Sequence, residues 1–174
     1  MKLKSGSPLQ KLIETIPQTG KVVWIGIRTA RKIDLTELQS VDCVKDSGLK
    51  GDHYTGRLGS KRQVTLIQQE HINAVASYLK VENLSPLLLR RNIVVKGINL
   101  LALKDKTFSI GDVVLKYTGE CQPCSRMEEN LGPGGYNALR GHGGITAQII
   151  KGGEISLNDE VKVIAKVPSW TFFS

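Results

Sequence analysis

The segment Phe108-Ser109-Ile110-Gly111-Asp112-Val113-Val114-Leu115 constrains the fold most. Its apolar alternation has the two-residue period of a strand, and a Gly-Asp turn breaks it before a second β-rich run. Ile155-Ser156-Leu157-Asn158-Asp159-Glu160-Val161-Lys162-Val163 repeats the plan around Asn-Asp. Glycine and asparagine accept the left-handed backbone that tight turns demand. Such units favour antiparallel strands over βαβ crossovers, and closure into a barrel removes exposed sheet edges. Val22 to Ile27 and Ile93 to Val95 are apolar, β-branched runs that read as strands, and Arg62-Gln63-Val64-Thr65-Leu66 alternates like a half-buried one. One amphipathic helix is predicted over Gln68 to Lys80, where Ile72, Val75, Ala76 and Leu79 share a face. Ser85-Pro86 opens a short second helix through Leu87 to Leu89, with serine capping free amides and proline giving up no hydrogen bond. The fold class expected is mainly β with a few short helices.

With 174 residues the chain suits one compact domain with a real core, and no linker or low-complexity tract divides residues 1–174. No run approaches a membrane span, and no leader pattern develops behind Lys2 and Lys4. Cys43, Cys121 and Cys124 are an odd number of thiols in a chain that needs no staples, which points to a reducing, cytoplasmic setting and no membrane partner. The net charge of +8 would suit nucleic acid or a small anionic ligand such as a phosphorylated cofactor. The lysines are scattered and aromatics reach only 5%, too few for a base-stacking platform, which disfavours nucleic acid.

The most informative stretch is Gly119-Glu120-Cys121-Gln122-Pro123-Cys124-Ser125-Arg126-Met127, between a predicted strand and a glycine-rich loop. A cysteine at a strand end beside an arginine could serve redox exchange, zinc binding or ligation of a soft metal. Its surroundings are not core composition, whereas Cys43 reads as a buried structural thiol. Zinc would want four ligands, yet there is one Cys pair, and His53, His71 and His142 show no ligand spacing. A thioredoxin-like pair should open a helix in a βαβ unit, whereas this one lies in a β-rich half. Gly132-Pro133-Gly134-Gly135 and Gly141-His142-Gly143-Gly144 could cradle an anion or simply turn the chain. Arg90-Arg91-Asn92 offers planar donors for anionic oxygens, or a solvated helix end. Gly51-Asp52-His53 is another polar loop, too common a pairing to establish catalysis.

In this order the pieces resemble the MOSC domain, named for the C-terminal part of molybdenum cofactor sulfurases. The resemblance runs from about Gly51 to Val163. It rests on Gly51-Asp52-His53, Arg62 to Leu66, Arg91 to Val95 with Gly97, and Ile110-Gly111-Asp112. Pro123 to Arg126 and the Gly143-Gly144 to Ile155 segment complete it. It implies a closed β-barrel that binds the molybdenum cofactor (molybdopterin), with Cys124 as the catalytic thiol and the metal ligand or sulfur carrier. It also implies Arg91, Asn92, Arg126, Arg140 and His142 as cofactor-binding groups gathered with Cys124, and Arg90 is left outside. The role of Cys121 stays open. Before Gly51 the residues are too few for the desulfurase region or the additional N-terminal β domain of larger relatives, so pyridoxal phosphate is expected only on a separate partner. The pattern is similar to stand-alone bacterial members linked with reducing N-hydroxylated compounds. The leading reading is a molybdenum-dependent oxidoreductase of a small-molecule substrate, with an electron donor in trans. The alternatives are a cofactor carrier or sulfur-transfer module served by a cysteine desulfurase, and an RNA-binding barrel.

Overall fold

The structure is a computed structural model that describes residues 6–54 and 56–164. In chain order the first elements are helix α1 (Pro8–Glu14) and strands β1 (Gly20–Ile27), β2 (Thr36–Leu38), β3 (Ser40–Val44), β4 (Gly48–Leu49) and β5 (Val64–Gln68). Helix α2 (Gln69–Leu79), β6 (Ile93–Lys96), β7 (Thr107–Ile110) and β8 (Val113–Glu120) follow. The last are α3 (Ser125–Leu131), α4 (Gly135–Leu139), β9 (Ile145–Lys151), β10 (Gly153–Ser156) and β11 (Glu160–Val163), with 3₁₀ turns at Pro86–Leu89 and Leu100–Leu103.

Among the described residues, seven strands close into a barrel in the order β1–β11–β7–β8–β9–β5–β6 and back to β1, and β2 is added beside β1. All barrel pairings are antiparallel except β5 with β6, where α2 crosses between the two strands. One β–α–β unit therefore interrupts the antiparallel pattern expected from the turns. The barrel also takes in β1, which precedes the Gly51 start of the family resemblance.

The two turn units take different courses. Phe108 to Leu115 folds as the β7–β8 hairpin with Ile110 opposite Val113. Around Asn158-Asp159 the chain instead changes sheets: β10 pairs with β3 in a small three-stranded sheet, whereas β11 pairs with β7 and β1. Asn158 adopts a positive φ of 70° and donates its amide to the Val22 carbonyl at 2.8 Å. The Asp159 carboxylate accepts from the Ser156 amide at 2.8 Å. A turn hooked onto β1 in this way carries the chain across the barrel seam rather than back along the same strand.

Burial explains the strand patterns. Val22, Ile25, Leu66, Ile93, Val95, Phe108, Leu115 and Val161 belong to the core inside the barrel. Trp24, Ile67 and Val94 face outward, into a second core with Ile72 and Val75 of α2, Leu89, Met127 of α3 and Leu139 of α4. The Trp24–Ile27 half of β1 and the Ile93–Val95 run of β6 are thus covered on both sides, which is why they run apolar without alternation. Strand β5, read as half-buried from its alternation, is covered on its outer side as well by Ile67 against α2. The predicted helix face is the one buried, with Ile72, Val75 and Ala76 inside and Leu79 partly so. Gln63 and Gln68 are buried polar latches: Gln63 accepts from the Ile149 amide at 2.8 Å and Gln68 from the Leu100 amide at 2.9 Å. Helix α1 has Ser7 as its cap and buries no side chain, in keeping with a peripheral N-terminus.

The turn between α3 and α4 is held by Glu128, whose carboxylate accepts the amides of Gly134 and Tyr136 at 2.7 and 2.8 Å. Those two bonds, Tyr136 first, hold the Glu128 carboxyl below its ordinary range.

Two outcomes follow from this packing. Phe108 is fully buried, so Phe108→Ala should cost about 3–5 kcal/mol in equilibrium unfolding. Leu58→Ala, at a site 91% exposed, should stay within about 0.5 kcal/mol of wild type. For Glu128, the folded value lies below the unfolded one, so its stabilisation is present above the ordinary carboxylate range and lost as pH falls through the folded value. Wild type should therefore melt above Glu128→Gln at neutral pH, with the gap closing in acid; a gap independent of pH would contradict the role given to the carboxylate.

Candidate functional site

Strand β8 delivers the cysteine loop. Its register against β9 slips between Tyr117 and Gly119, and the chain leaves the barrel at Glu120. The Cys121 amide donates to the Gly144 carbonyl at 2.8 Å, and Cys121 itself is buried. Cys124 stands exposed at the head of α3 and its carbonyl accepts from the Met127 amide at 2.8 Å. Met127 is fully buried in the outer core. The exposed thiol therefore sits on a short loop anchored at both ends. It opens on a cavity of about 400 Å3 walled also by Arg62, Thr118, Glu120, Gln122 and Thr146.

Arg91 locks this loop from beneath. Its Nε donates to the Gly143 carbonyl at 2.7 Å, Nη1 to Leu89 at 3.0 Å and Nη2 to Cys121 at 3.1 Å. Burial lowers the Arg91 pKa from its ordinary value, and the nearby Cys121 and Cys124 oppose the shift. Gly143 and Gly144 permit the close approach this lock requires. A Cβ on Gly143 would lie 2.1 Å from the Cys121 carbonyl oxygen, and one on Gly144, with φ of 82°, would lie 1.9 Å from that of Leu66. The glycine pair thus serves backbone packing here.

Beside this loop lies a cavity of about 340 Å3 lined by Arg28, Arg31, Lys32, His53, Arg90 and Arg126, with no carboxylate in its wall. A second cavity, also about 340 Å3, shares Arg28, His53 and Arg90 with it and adds Asp52, Tyr54, Gln63, Thr65 and Asn92. Arg62 joins the wall of that second cavity to the Cys124 cavity. The cationic cavity thus adjoins the middle one through Arg28, His53 and Arg90, and the middle one neighbours the thiol's cavity across Arg62. Burial lowers the Arg28 pKa, Arg90 and Arg126 push the same way, and Asp52 and Cys124 oppose. Like charges held this close favour an anion between them.

The residues expected at the site are only partly gathered. Cys124, Asn92 and Arg126 line these cavities. Asn92 also stitches strands, its Oδ1 accepting from the Thr65 hydroxyl at 2.8 Å and its Nδ2 donating to the Gly26 carbonyl at 3.2 Å. Arg91, Arg140 and His142 line none of the three cavities. Arg91 is turned inward by its carbonyl partners, and Arg140 is exposed at the end of α4. The His142 ring packs edge-on to His71 with centroids 4.8 Å apart, and close to Tyr78 of α2. Arg90, expected outside, is a wall of the cationic and middle cavities. Its left-handed backbone, φ 57°, ends the 3₁₀ turn and separates its course from that of Arg91. Arg28, Arg31, Lys32 and Arg62 were not singled out from the sequence. Arg62 stood inside a recognised motif, which was the one available signal; the others follow β1 with no local pattern to mark them.

The thiols divide by environment. Burial, with Asp42 adding, raises the Cys43 thiol to about 12, as suits a structural residue. Among the described residues no group of three or more His, Cys, Asp and Glu side chains gathers to hold a metal, so the closed four-ligand zinc site is not assembled there. Nor, among them, is any helix long and apolar enough to cross a membrane.

A family model described as the MOSC domain matches residues 53–162. No curated protein matches the chain by sequence. Among solved structures, the YUAD protein from Bacillus subtilis aligns with a TM-score of 0.73 at 21% identity, over 84% of this chain and 96% of that one. YiiM from Escherichia coli gives 0.63 at 15% identity, over 84% and 71%. YiiM from Geobacillus stearothermophilus gives 0.65 at 14%, over 84% and 75%. At such identities the likeness establishes a shared fold.

The geometry separates two adjacent arginines. Arg91→Lys loses the planar fork that reaches three carbonyls and should destabilise the protein by about 2–4 kcal/mol in chemical denaturation. Arg90→Gln should change stability by less than about 0.5 kcal/mol, because it removes a half-exposed member of a like-charged cluster. Equal effects of the two substitutions would contradict this division.

Proposed function

This chain belongs to the MOSC domain family, and on that premise we propose that these adjoining cavities bind the molybdenum cofactor, with Cys124 as metal ligand, for reduction of N-hydroxylated small molecules. The observation carrying this reading is that the exposed thiol's cavity shares its Arg62 wall with a polar cavity that in turn adjoins a cluster of cations.

The residues present fit the cofactor's chemistry. Its phosphate is anionic, and the basic cavity offers Arg28, Arg31, Lys32, Arg90 and Arg126 with no carboxylate in the wall. Its pterin carries donors and acceptors, and Asn92, Gln63 and Thr65 supply polar groups in the middle cavity. Its metal is thiophilic, and Cys124 is the exposed thiol of the three. When bound, the cofactor would supply the metal centre at which a substrate is reduced. The chain's own residues do the rest. The arginines fix the anionic end, Arg91 and Met127 hold the cysteine loop in place, and the open cavity around Cys124 admits a small substrate. Electrons come from a donor protein in trans.

A second reading is a carrier or sulfur-delivery module. The exposure of Cys124 on an open cavity favours it, since a desulfurase partner could reach the thiol.

Protein produced in a cofactor-making host separates the readings by metal and pterin content and by turnover with a chemical reductant. Cys124→Ser should fold normally, lose bound molybdenum and lose reductase activity by at least a hundredfold, because a hydroxyl is a poor ligand for a soft metal. Cys121→Ser should retain both, with a modest drop in melting temperature at a buried site. Loaded protein without turnover would favour the carrier. Full activity in Cys124→Ser would overturn the assignment.

A further inference from the structure

We propose that His53 is a proton-linked member of the anion site: its imidazole takes up a proton as a tetrahedral oxyanion enters the basic cavity, so that an anion of constant charge is held more tightly as pH falls. This rests on the reading of that cavity as the seat of the ligand's anionic end. It gives a role to the Asp52-His53 pair, which cofactor binding by the arginines leaves unused.

His53 is a wall of both the basic cavity and the middle one. Its Nδ1 is buried without a hydrogen-bond partner, 3.8 Å from the Asp52 carboxylate. Asp52 is itself fixed, since the same Oδ1 accepts the Arg28 amide at 2.8 Å. The His53 amide in turn donates to the Arg28 carbonyl. The ring is thus held with one nitrogen against a carboxylate that can stabilise an imidazolium, and it borders a space where an anion can do the same.

Charged groups surround the ring. Arg28, Arg31, Lys32, Arg90 and Arg126 share the cavity with His53. Arg62 and the neutral Tyr54 face it from the middle cavity. Beyond Asp52, the carboxylates of Asp34 and Glu129 line an adjoining cavity with Arg28, Lys32, Arg90 and Arg126. Among these side chains the imidazole is the one whose chemistry suits reversible proton uptake under mild conditions. A dianion among the five cations offsets their field, and protonation of His53 then becomes favourable. Because binding and protonation are linked, the effect runs both ways.

Sulfate is a suitable probe, because its own charge is constant over this range. Calorimetric titration of the purified full chain, in buffers of different ionisation enthalpy, should show fractional proton uptake near neutral pH. Sulfate affinity should rise about three- to tenfold from pH 8 to pH 5.5, the scale of one screened charge–charge contact. His53→Gln should bind sulfate with neither proton uptake nor this pH dependence. A readout free of substitution is the His53 ring proton resonance, whose titration midpoint should move upward when sulfate is added. Sulfate binding without proton uptake, or unchanged pH dependence in His53→Gln, would overturn the proposal while leaving the anion site standing. Failure of sulfate to bind, or binding unaffected by Arg90→Gln at every pH, would remove the anion site and the proposal together.

Discussion

The site depends on one buried guanidinium. Arg91 lies in the protein with only 5% exposure, bonded to three main-chain carbonyls from separate segments. A buried charge carries a desolvation penalty of several kcal/mol unless its donors are satisfied. Here a carbonyl engages each of its three nitrogens, which offsets that penalty. Leu89 ends the 3₁₀ turn before β6, Cys121 begins the cysteine loop, and Gly143 precedes β9. Tying these together fixes Cys124 relative to the barrel rim.

The barrel supplies the frame for that lock. Strands β1, β5 and β6 are covered by the inner core on one side and by α2, α3 and α4 on the other. Their ends are therefore rigid. Arg28 follows β1, Arg90 and Asn92 flank the start of β6, and Arg126 lies on α3, whose Met127 plugs the outer core. Cations from these segments would separate in solution. The packed elements hold them around one cavity, where burial first and Arg90 second lower the pKa of Arg28.

Much of the fold was legible in the chain because it is written in short-range patterns. The three-four spacing of Ile72, Val75 and Ala76 set the helix and its buried face. The Gly111-Asp112 turn set the β7–β8 hairpin, and Ser85 capped its short helix through the Leu87 amide at 3.3 Å. The parallel β5–β6 pair was not legible, because pairing depends on how α2 packs and no local period records it. The similar turn at Asn158-Asp159 gave a change of sheet, because its amide found Val22 on a strand more than a hundred residues away.

The sequence by itself determined a mainly β chain, the amphipathic helix α2 with its buried face, and the buried, structural character of Cys43. It also carried the family, through motifs whose order survives without contact information. Only the tertiary structure decided which charges face the cavities. Arg90 and Arg91 are neighbours of identical chemistry, yet a left-handed backbone at Arg90 and three carbonyls around Arg91 send one to the cavity and the other to the interior. Arg28 entered the site because Asp52, distant in sequence, grips its backbone amide. Side-chain direction at such positions is set by partners far along the chain, and no local pattern encodes them.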